Sequence, residues 1–222
     1  MKKITLFTLV FCYSGIALKA QDKAFEKGDI TATLGIGVAI YGTKIHSEAS
    51  YGSIKIVDDT TDGAASVIYP ITAEYGITNW LGIGARFAYS NYFEERDSIS
   101  NIKPKVTALD FDLALNFHLV KTKRFDMPIG LLIGYSRFKI LSNEPNKWMA
   151  VDNGMHYGIM LNPRIYFGDH VGMYFNVGYM GYKYPSLAFS DNTDSDLNDN
   201  NNWKYSIKGN GFNIGLGLIG KF

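Results

Sequence analysis

Apolar and polar residues alternate with a period of two along most of the chain after residue 29. In residues 108–119, leucine and phenylalanine fill every odd position, while Asp110, Asp112 and Asn116 lie on the even positions. A period of two is that of a β-strand, whose successive side chains point to opposite faces, whereas a helix needs apolar residues three and four apart. Eight segments show this alternation: 30–41, 67–78, 81–92, 108–119, 129–136, 156–167, 171–182 and 211–222.

The connections between these segments alternate in length. Those at 78–80, 120–127 and 168–170 are short, whereas the other four are long and polar: 42–66, 93–105, 137–155 and 183–210. Short turns at one end and long loops at the other are typical of a transmembrane barrel. Pro70 and Pro163 fall inside strands, and we expect a bulge or a break near each because proline cannot donate to a ladder.

The two faces of the strands differ in composition. One face is apolar and carries no charge, while the other is rich in glycine and carries six charged residues: Glu74, Arg86, Asp110, Asp112, Arg164 and Lys221. A water-facing surface would be rich in lysine and glutamate, so the polar face is predicted to line a narrow lumen and the apolar face to meet lipid. A soluble, secreted, lipocalin-like binding barrel has the same alternation with the opposite sense and is the alternative.

Aromatic residues support the lipid-facing assignment. Tyr69, Tyr89, Tyr135, Tyr157 and Tyr179 fall on the apolar face near the long-loop end. Phe117, Phe167 and Phe222 fall on the same face near the short-turn end. Aromatic girdles at both interfaces are expected of a membrane barrel.

Overall charge and cysteine content exclude other classes. The 222 residues include 22 Lys and Arg against 21 Asp and Glu, which argues against nucleic-acid binding by bulk charge. Hydrophobic residues make up 46%, so a charged disordered chain is excluded. A single cysteine cannot form a disulfide within the chain.

Residues 1–20 have the features of a secretory signal peptide. Lys2 and Lys3 precede an apolar run from Ile4 to Ile16, and Ala20 offers a small residue before a cut. This predicts an exported chain whose single β-barrel domain occupies residues 21–222. Cys12 lies within the apolar run.

The signal, the eight alternating strands and the C-terminal segment together resemble the small bacterial outer-membrane β-barrel proteins of the OmpA/OmpX type, a porin-family-like group. The final strand has the features of an insertion signal, carried by Gly217, Leu218 and the terminal Phe222, although Gly220 departs from the usual apolar residue. The resemblance implies an all-β, eight-stranded antiparallel transmembrane up-and-down β-barrel, with short periplasmic turns and long extracellular loops. It also implies location in the bacterial outer membrane, insertion by the barrel-assembly machinery, and contact with outer-membrane lipid and lipopolysaccharide.

The charged lumen residues are the candidate site, with a structural role. A tight turn at 78–80 places Glu74 diagonal to Arg86, and a symmetric hairpin through 93–105 places Asp112 opposite Arg86. Cross-strand opposite charges attract, so we expect a salt-bridged plug rather than a gated ion path. Asp110 and Arg164 join this lumen charge network.

Two weaker constellations also occur. The first could mimic the Ser/His/acid set of a lipid-modifying enzyme, which is the alternative function. Its histidine would be His156 or His46, its serine Ser47 and its acid Glu48. The four aspartates Asp191, Asp194, Asp196 and Asp199 could suit Ca²⁺, but their order does not match an EF-hand. The sequence therefore favours a non-enzymatic outer-membrane barrel with no metal, no cofactor and no catalytic residue, and it leaves the oligomeric state open.

Overall fold

The computed structural model describes residues 23–51, 53–93, 104–141, 149–190 and 203–222. The signal segment predicted at 1–20 lies outside them. Within these ranges the secondary structure consists of ten strands in one sheet. They are β1 (Ile30–Tyr51), β2 (Ile54–Gly76), β3 (Leu81–Phe93), β4 (Lys105–Lys121), β5 (Phe125–Leu141), β6 (Met149–Leu161), β7 (Arg164–Tyr166), β8 (Val171–Tyr184), β9 (Ala188–Ser190) and β10 (Trp203–Lys221).

The sheet closes on itself as an antiparallel barrel of eight strand positions. β10 pairs with both β1 and β8, which removes the sheet edges. β6 and β7 together form one position, since both pair with β5 and with β8. The short β9 pairs only with the far end of β6, beside Val151. The predicted eight-stranded fold is confirmed.

The register fixes how far the strands are staggered. Following paired residues once around the barrel from Lys44 returns to Leu34, ten residues away on the same strand. The path runs through Lys208, Lys183, Met155, Tyr135, Phe111, Phe87 and Ile71. A barrel of eight staggered strands has an interior just wide enough for side chains to fill.

The two faces point as predicted. Apolar side chains lie on the outside, where Leu113 is 65% exposed and Phe212 is 68% exposed. Glu74, Arg86 and Asp112 lie inside and are buried. This sense is the reverse of a soluble lipocalin-like barrel. No helix long and apolar enough to cross a membrane occurs in the described part of the chain.

The strands at the long-loop end are longer than predicted. The segment 42–66 was expected to be a loop, but β1 and β2 continue through it as a paired ribbon up to Tyr51 and Ile54. β5, β6 and β10 also extend into predicted loops. The sequence pattern fails there because side chains are exposed on both faces of the ribbon, as the neighbours Ile56 and Val57 show, so no apolar period marks the strand.

Both prolines disturb the ladder. At Pro163 the strand breaks between β6 and β7, and the Asn162 amide donates to the Pro128 carbonyl instead. Pro70 keeps its pairing with Ala88 of β3, but pairing with β1 lapses opposite Gly35 and resumes in the same register. A further irregularity, between His118 and Val120, was not predicted.

Arginine at position 115 tests the assignment of the faces. Leu115 lies outward near the middle of β4, so Leu115→Arg should lower the free energy of unfolding by about 2–4 kcal/mol in lipid vesicles. The matched control is Thr107→Arg, on the same face of the same strand but near its loop end, where the cost should be about 0–1 kcal/mol. Urea unfolding measures both values, and equal costs would mean that the outer face does not lie in lipid.

Candidate functional site

The middle of the lumen holds a buried ion pair joined to a histidine. Arg86 on β3 lies opposite Asp112 on β4, as the hairpin prediction expected, and Arg86 Nη1 donates to Asp112 Oδ2 at 2.5 Å. His156 on β6 contacts the other carboxylate oxygen through Nδ1 at 2.7 Å. Asp112 is therefore held by cationic or donor groups from two strands, and both of its oxygens have partners.

A second cluster lies closer to the short-turn end. Arg164 Nη2 on β7 donates to Glu74 Oε2 at 2.6 Å, and His118 Nε2 lies 2.8 Å from Glu74 Oε1. The other ring nitrogen of His118 lies 2.8 Å from Asp126 Oδ2, and Arg164 Nη1 lies 3.5 Å from the same oxygen. Both nitrogens of His118 thus face carboxylates, one from β2 and one from β5.

Asp110 is satisfied by hydroxyl groups. Ser136 Oγ donates to it at 2.5 Å, and the Tyr182 hydroxyl donates at 3.1 Å. In the described part of the chain, no Lys or Arg nitrogen lies within 4.0 Å of this carboxylate. Asp110 therefore binds hydroxyl groups, including that of Tyr182, rather than pairing directly with Arg86.

One predicted pairing is wrong. Glu74 was expected beside Arg86, but it binds Arg164 and His118. The register does place Glu74 diagonal to Arg86, since Thr72 lies directly opposite Arg86. Arg164 reaches Glu74 from the far wall across the lumen, so neighbouring-strand geometry alone could not identify it.

Three residues of these clusters were missed as members of the network. His118 and His156 lie on the inward parity of their strands, which the alternation already showed, but their carboxylate partners lie on other strands. The sequence pattern places Asp126 in the turn 120–127, whereas the structure has it at the start of β5, facing inward. A search for every titratable residue at an inward-facing strand position would have identified these residues.

An aromatic layer fills the lumen toward the long-loop end. Tyr41 meets Tyr182 edge to face at 5.4 Å between ring centroids, and Phe138 lies 5.1 Å from Tyr184. Tyr92 packs against Phe138 at 5.9 Å. All but the half-buried Tyr92 are buried, so the upper lumen is occupied by side chains.

The segment before β1 closes the other end. Ala24 and Phe25 are fully buried, and the ring of Phe25 stacks on His118 at 3.3 Å between centroids. The Ala24 amide donates to Thr122 and the Gly28 amide to Gly76, each at 2.8 Å. Gly28 has φ of 92°, a conformation that favours glycine.

Lys221 ties the final strand to this closing segment. Its ammonium group donates to the Lys23 carbonyl at 3.2 Å and lies 4.0 Å from Asp29. The alternation places Lys221 on the inward face but indicates no partner for it. Residues 23–29 thus cover the short-turn mouth of the barrel.

A small cavity remains between the two charge clusters, lined by both polar and apolar residues. The centre of a water molecule can occupy about 40 Å³ of it, which is room for a few waters. Arg86 and Arg164 both line it. Its other polar lining residues are Thr33, Thr72, Asn162, Tyr174, Asn176 and Asn213. The cavity lies within the lumen, between side chains of the barrel wall.

The residues weighed as a hydrolase set do not come together. His46 Nδ1 lies 2.7 Å from Asp59 Oδ1, whereas the Ser47 hydroxyl donates to the Asp58 carbonyl and Glu48 binds Lys55. His46 and Ser47 are adjacent in a strand and so point to opposite faces. The pKa of Asp59 is lowered, chiefly by the hydrogen bond from Lys44 to its carboxylate and next by the hydrogen bond with His46.

His156 lies in the lumen, stacked on Tyr182. The aspartates weighed for Ca²⁺ lie outside the described residues. Within the described ranges, no group of three or more His, Cys, Asp or Glu is arranged to hold a metal ion.

The C-terminal signal residues lie where the strand pattern placed them. Leu218 faces outward, and Gly217 faces the lumen, where its lack of a side chain leaves room for the Tyr174 ring. Phe222 exchanges backbone hydrogen bonds with Ile30, at 2.8 and 3.0 Å. The end of the chain is therefore part of the barrel closure.

No protein-family model and no curated protein sequence matches this chain. Solved structures do resemble it. The outer membrane protein OprG from Pseudomonas aeruginosa superimposes with a TM-score of 0.57 and 13% identity, over 89% of this chain and 97% of OprG. At this identity the likeness shows the fold alone, which is that of an outer-membrane β-barrel.

Two further structures resemble the chain more loosely. Ail, the attachment invasion locus protein of Yersinia pestis, solved with the heparin analogue sucrose octasulfate, gives a TM-score of 0.47 and 13% identity, over 88% of this chain and 99% of Ail. The outer membrane protease OmpT from Escherichia coli gives 0.47 and 11% identity, over 87% of this chain and 97% of OmpT.

A double-mutant cycle tests the pairing within the lumen. Arg86→Ala leaves Asp112 without its cation, and breaking a buried pair costs about 3–5 kcal/mol of unfolding free energy. The change combined with Asp112→Ala should cost less than the sum of the two single changes, by about 0.5–3 kcal/mol. Urea unfolding of the refolded barrel measures the unfolding free energy of the native chain and of each variant.

The control cycle combines Arg86→Ala with Glu74→Ala. These residues have separate partners, so their costs should add to within about 0.5 kcal/mol. Strong coupling of Arg86 to Glu74, with none to Asp112, would contradict the two-cluster arrangement.

Proposed function

We propose that this chain is an integral protein of the bacterial outer membrane with a closed lumen and a non-enzymatic role in the envelope, either structural or in surface interactions. The observation that carries the proposal is the distribution of side chains, which is the reverse of that in a water-soluble barrel. Between the two ends of the barrel the outer face is apolar and exposed, while the pairs Arg86–Asp112 and Arg164–Glu74 are buried inside.

Burial energetics favour lipid as the surrounding solvent. A closed barrel satisfies its backbone hydrogen bonds within the sheet, which is what hydrocarbon demands. Exposed outward residues such as Leu34, Leu113 and Leu216 would make a very large apolar patch in water. In a bilayer the same surface is the favourable one.

The aromatic side chains fit the two interfaces of a bilayer. Tyr135, Tyr157 and Tyr179 are exposed on the outer surface toward the long-loop end. Trp80 stacks on Phe117 toward the short-turn end, with ring centroids 6.2 Å apart. Amphipathic rings are favourable at headgroup depth, so the two groups mark the upper and lower limits of the membrane-spanning band.

Export and insertion follow from the two ends of the chain. The signal-like residues 1–20 would direct the chain across the inner membrane. The final strand, with Leu218 and the terminal Phe222, would be recognised by the barrel-assembly machinery. The short turns would then face the periplasm and the β1–β2 ribbon would project outside, where outer-membrane lipid and lipopolysaccharide surround the barrel.

The non-enzymatic role rests on what the polar residues do. His118 and His156 contact carboxylates inside the lumen, at 2.7–2.8 Å from nitrogen to oxygen. His46 and Ser47 on the ribbon bind different aspartate residues. The ribbon instead offers charged, exposed side chains such as Lys55 and Asp58 to the medium, which suits contact with a surface partner.

Cell fractionation tests the proposal. The full chain, expressed in a bacterium with an outer membrane, should be recovered in the outer-membrane fraction. It should also migrate differently on gels with and without boiling, because a closed barrel resists detergent until heated. The matched control lacks residues 1–20 and should stay in the cytoplasm. Recovery of the full chain from the soluble periplasm, without a heat-dependent shift, would overturn the proposal.

A further inference from the structure

Three lysines lie side by side on the outer surface of the barrel. The register pairs Lys44 of β1 with Lys208 of β10, and Lys208 with Lys183 of β8. All three have the parity of the outward apolar residues on their strands, and all three are exposed. They form a lysine row just beyond the apolar band at the long-loop end.

The row is electrostatically unfavourable as it stands. Directly opposed residues on neighbouring strands have Cβ atoms about 4.5–5.5 Å apart, and like charges at that spacing destabilise the sheet. Lys44 has a counter-ion, since its ammonium lies 2.8 Å from Asp59. For Lys183 and Lys208, no carboxylate of the described residues lies within 4.0 Å. An anion from outside the chain would relieve the repulsion.

A shelf of small and polar groups lies beneath the row. The next outward positions are Gly42, Asn210 and Gly181, which are paired with one another across the same three strands. A side chain at Gly42 would meet nothing within 4 Å, so the surface there is open. The ring and hydroxyl of Tyr157 lie over Gly181, and the Asn210 amide is exposed.

An apolar row completes the arrangement. One more step toward the short-turn end brings Ile40, Phe212 and Tyr179, again paired across the three strands. Ile40 is 70% exposed, and the rings of Phe212 and Tyr179 contact edge to face at 5.1 Å. Cations, a polar shelf and an exposed apolar surface thus follow one another over about 13 Å of strand.

We infer that this face binds a phosphate-bearing lipid of the leaflet at the long-loop end. The lysine row takes the phosphate, the Asn210 amide and the open shelf at Gly42 accommodate the polar ester linkages between phosphate and acyl chains, and the acyl chains lie along the apolar row. The inference rests on the proposed membrane location. Lipid fits better than a soluble phosphate because the apolar row continues directly from the cations, and lysine stems can lie along it.

The experiment is a lipid titration by native mass spectrometry of the full chain, refolded in a neutral detergent. The probes are dioleoyl phosphatidic acid, which has a phosphate monoester, and dioleoyl phosphatidylcholine, in which a choline offsets the phosphate charge. The native chain should bind phosphatidic acid more tightly than phosphatidylcholine. Binding should weaken with salt, since the contact is ionic.

The Lys183→Gln/Lys208→Gln variant removes two of the three cations and should weaken phosphatidic acid binding about thirtyfold. Lys208→Gln alone should weaken it about fivefold. The matched control, Lys27→Gln/Lys123→Gln, makes the same change in net charge at exposed positions of the short-turn end and should leave the affinity unchanged. A heat-dependent gel shift verifies that each variant is folded.

Several results would overturn the inference. These are equal binding of the two lipids by the native chain, equal losses in the row and control variants, or displacement of the lipid by inorganic phosphate at equal concentration. A folded outer-membrane protein that shows any of them would disprove this lipid site alone. A chain found in the soluble periplasm would instead disprove the proposed function.

Discussion

A sheet that closes in lipid must turn its polar side chains inward, and this constraint governs the rest of the structure. With eight staggered strands the interior is only as wide as the side chains that fill it. Each charge placed there loses water and needs a partner. The lumen meets this demand with two compact clusters, Arg86–Asp112–His156 and Glu74–Arg164–His118–Asp126, and with hydroxyl donors around Asp110.

The sequence was sufficient for the properties that depend on neighbouring strands. Period-two alternation identified the eight barrel positions, and the composition of the two faces indicated which one points outward. Hairpin geometry identified the Arg86–Asp112 pair, because it brings those residues opposite each other. It was insufficient for contacts across the lumen, such as Glu74 with Arg164, which are ninety positions apart and on non-adjacent walls. The closing segment was also missed, since Phe25 enters the lumen without any strand periodicity.

The long-loop end follows different rules from the barrel wall. Both faces of β2 are exposed in residues 54–63, so this part of the ribbon lacks the apolar alternation of the membrane band and reads as a loop in the sequence. At the boundary between the two regions, the register brings Lys44, Lys183 and Lys208 together. The same strand register therefore determines which charged residues pair inside the lumen and which lysines lie together outside. The closing of the lumen and the surface that would meet lipid headgroups thus depend on one feature of the sheet.

The central claim is that the lumen is filled along its length: by residues 23–29 at one end, the two charge clusters in the middle and the Tyr41–Tyr182 layer at the other end. The most direct test is the conductance of the refolded chain in a planar lipid bilayer. A lumen filled in this way, with a cavity of only about 40 Å³ between the charge clusters, predicts no steady ionic current above that of the bare bilayer. Large, steady, stepwise currents from the native chain would contradict the account.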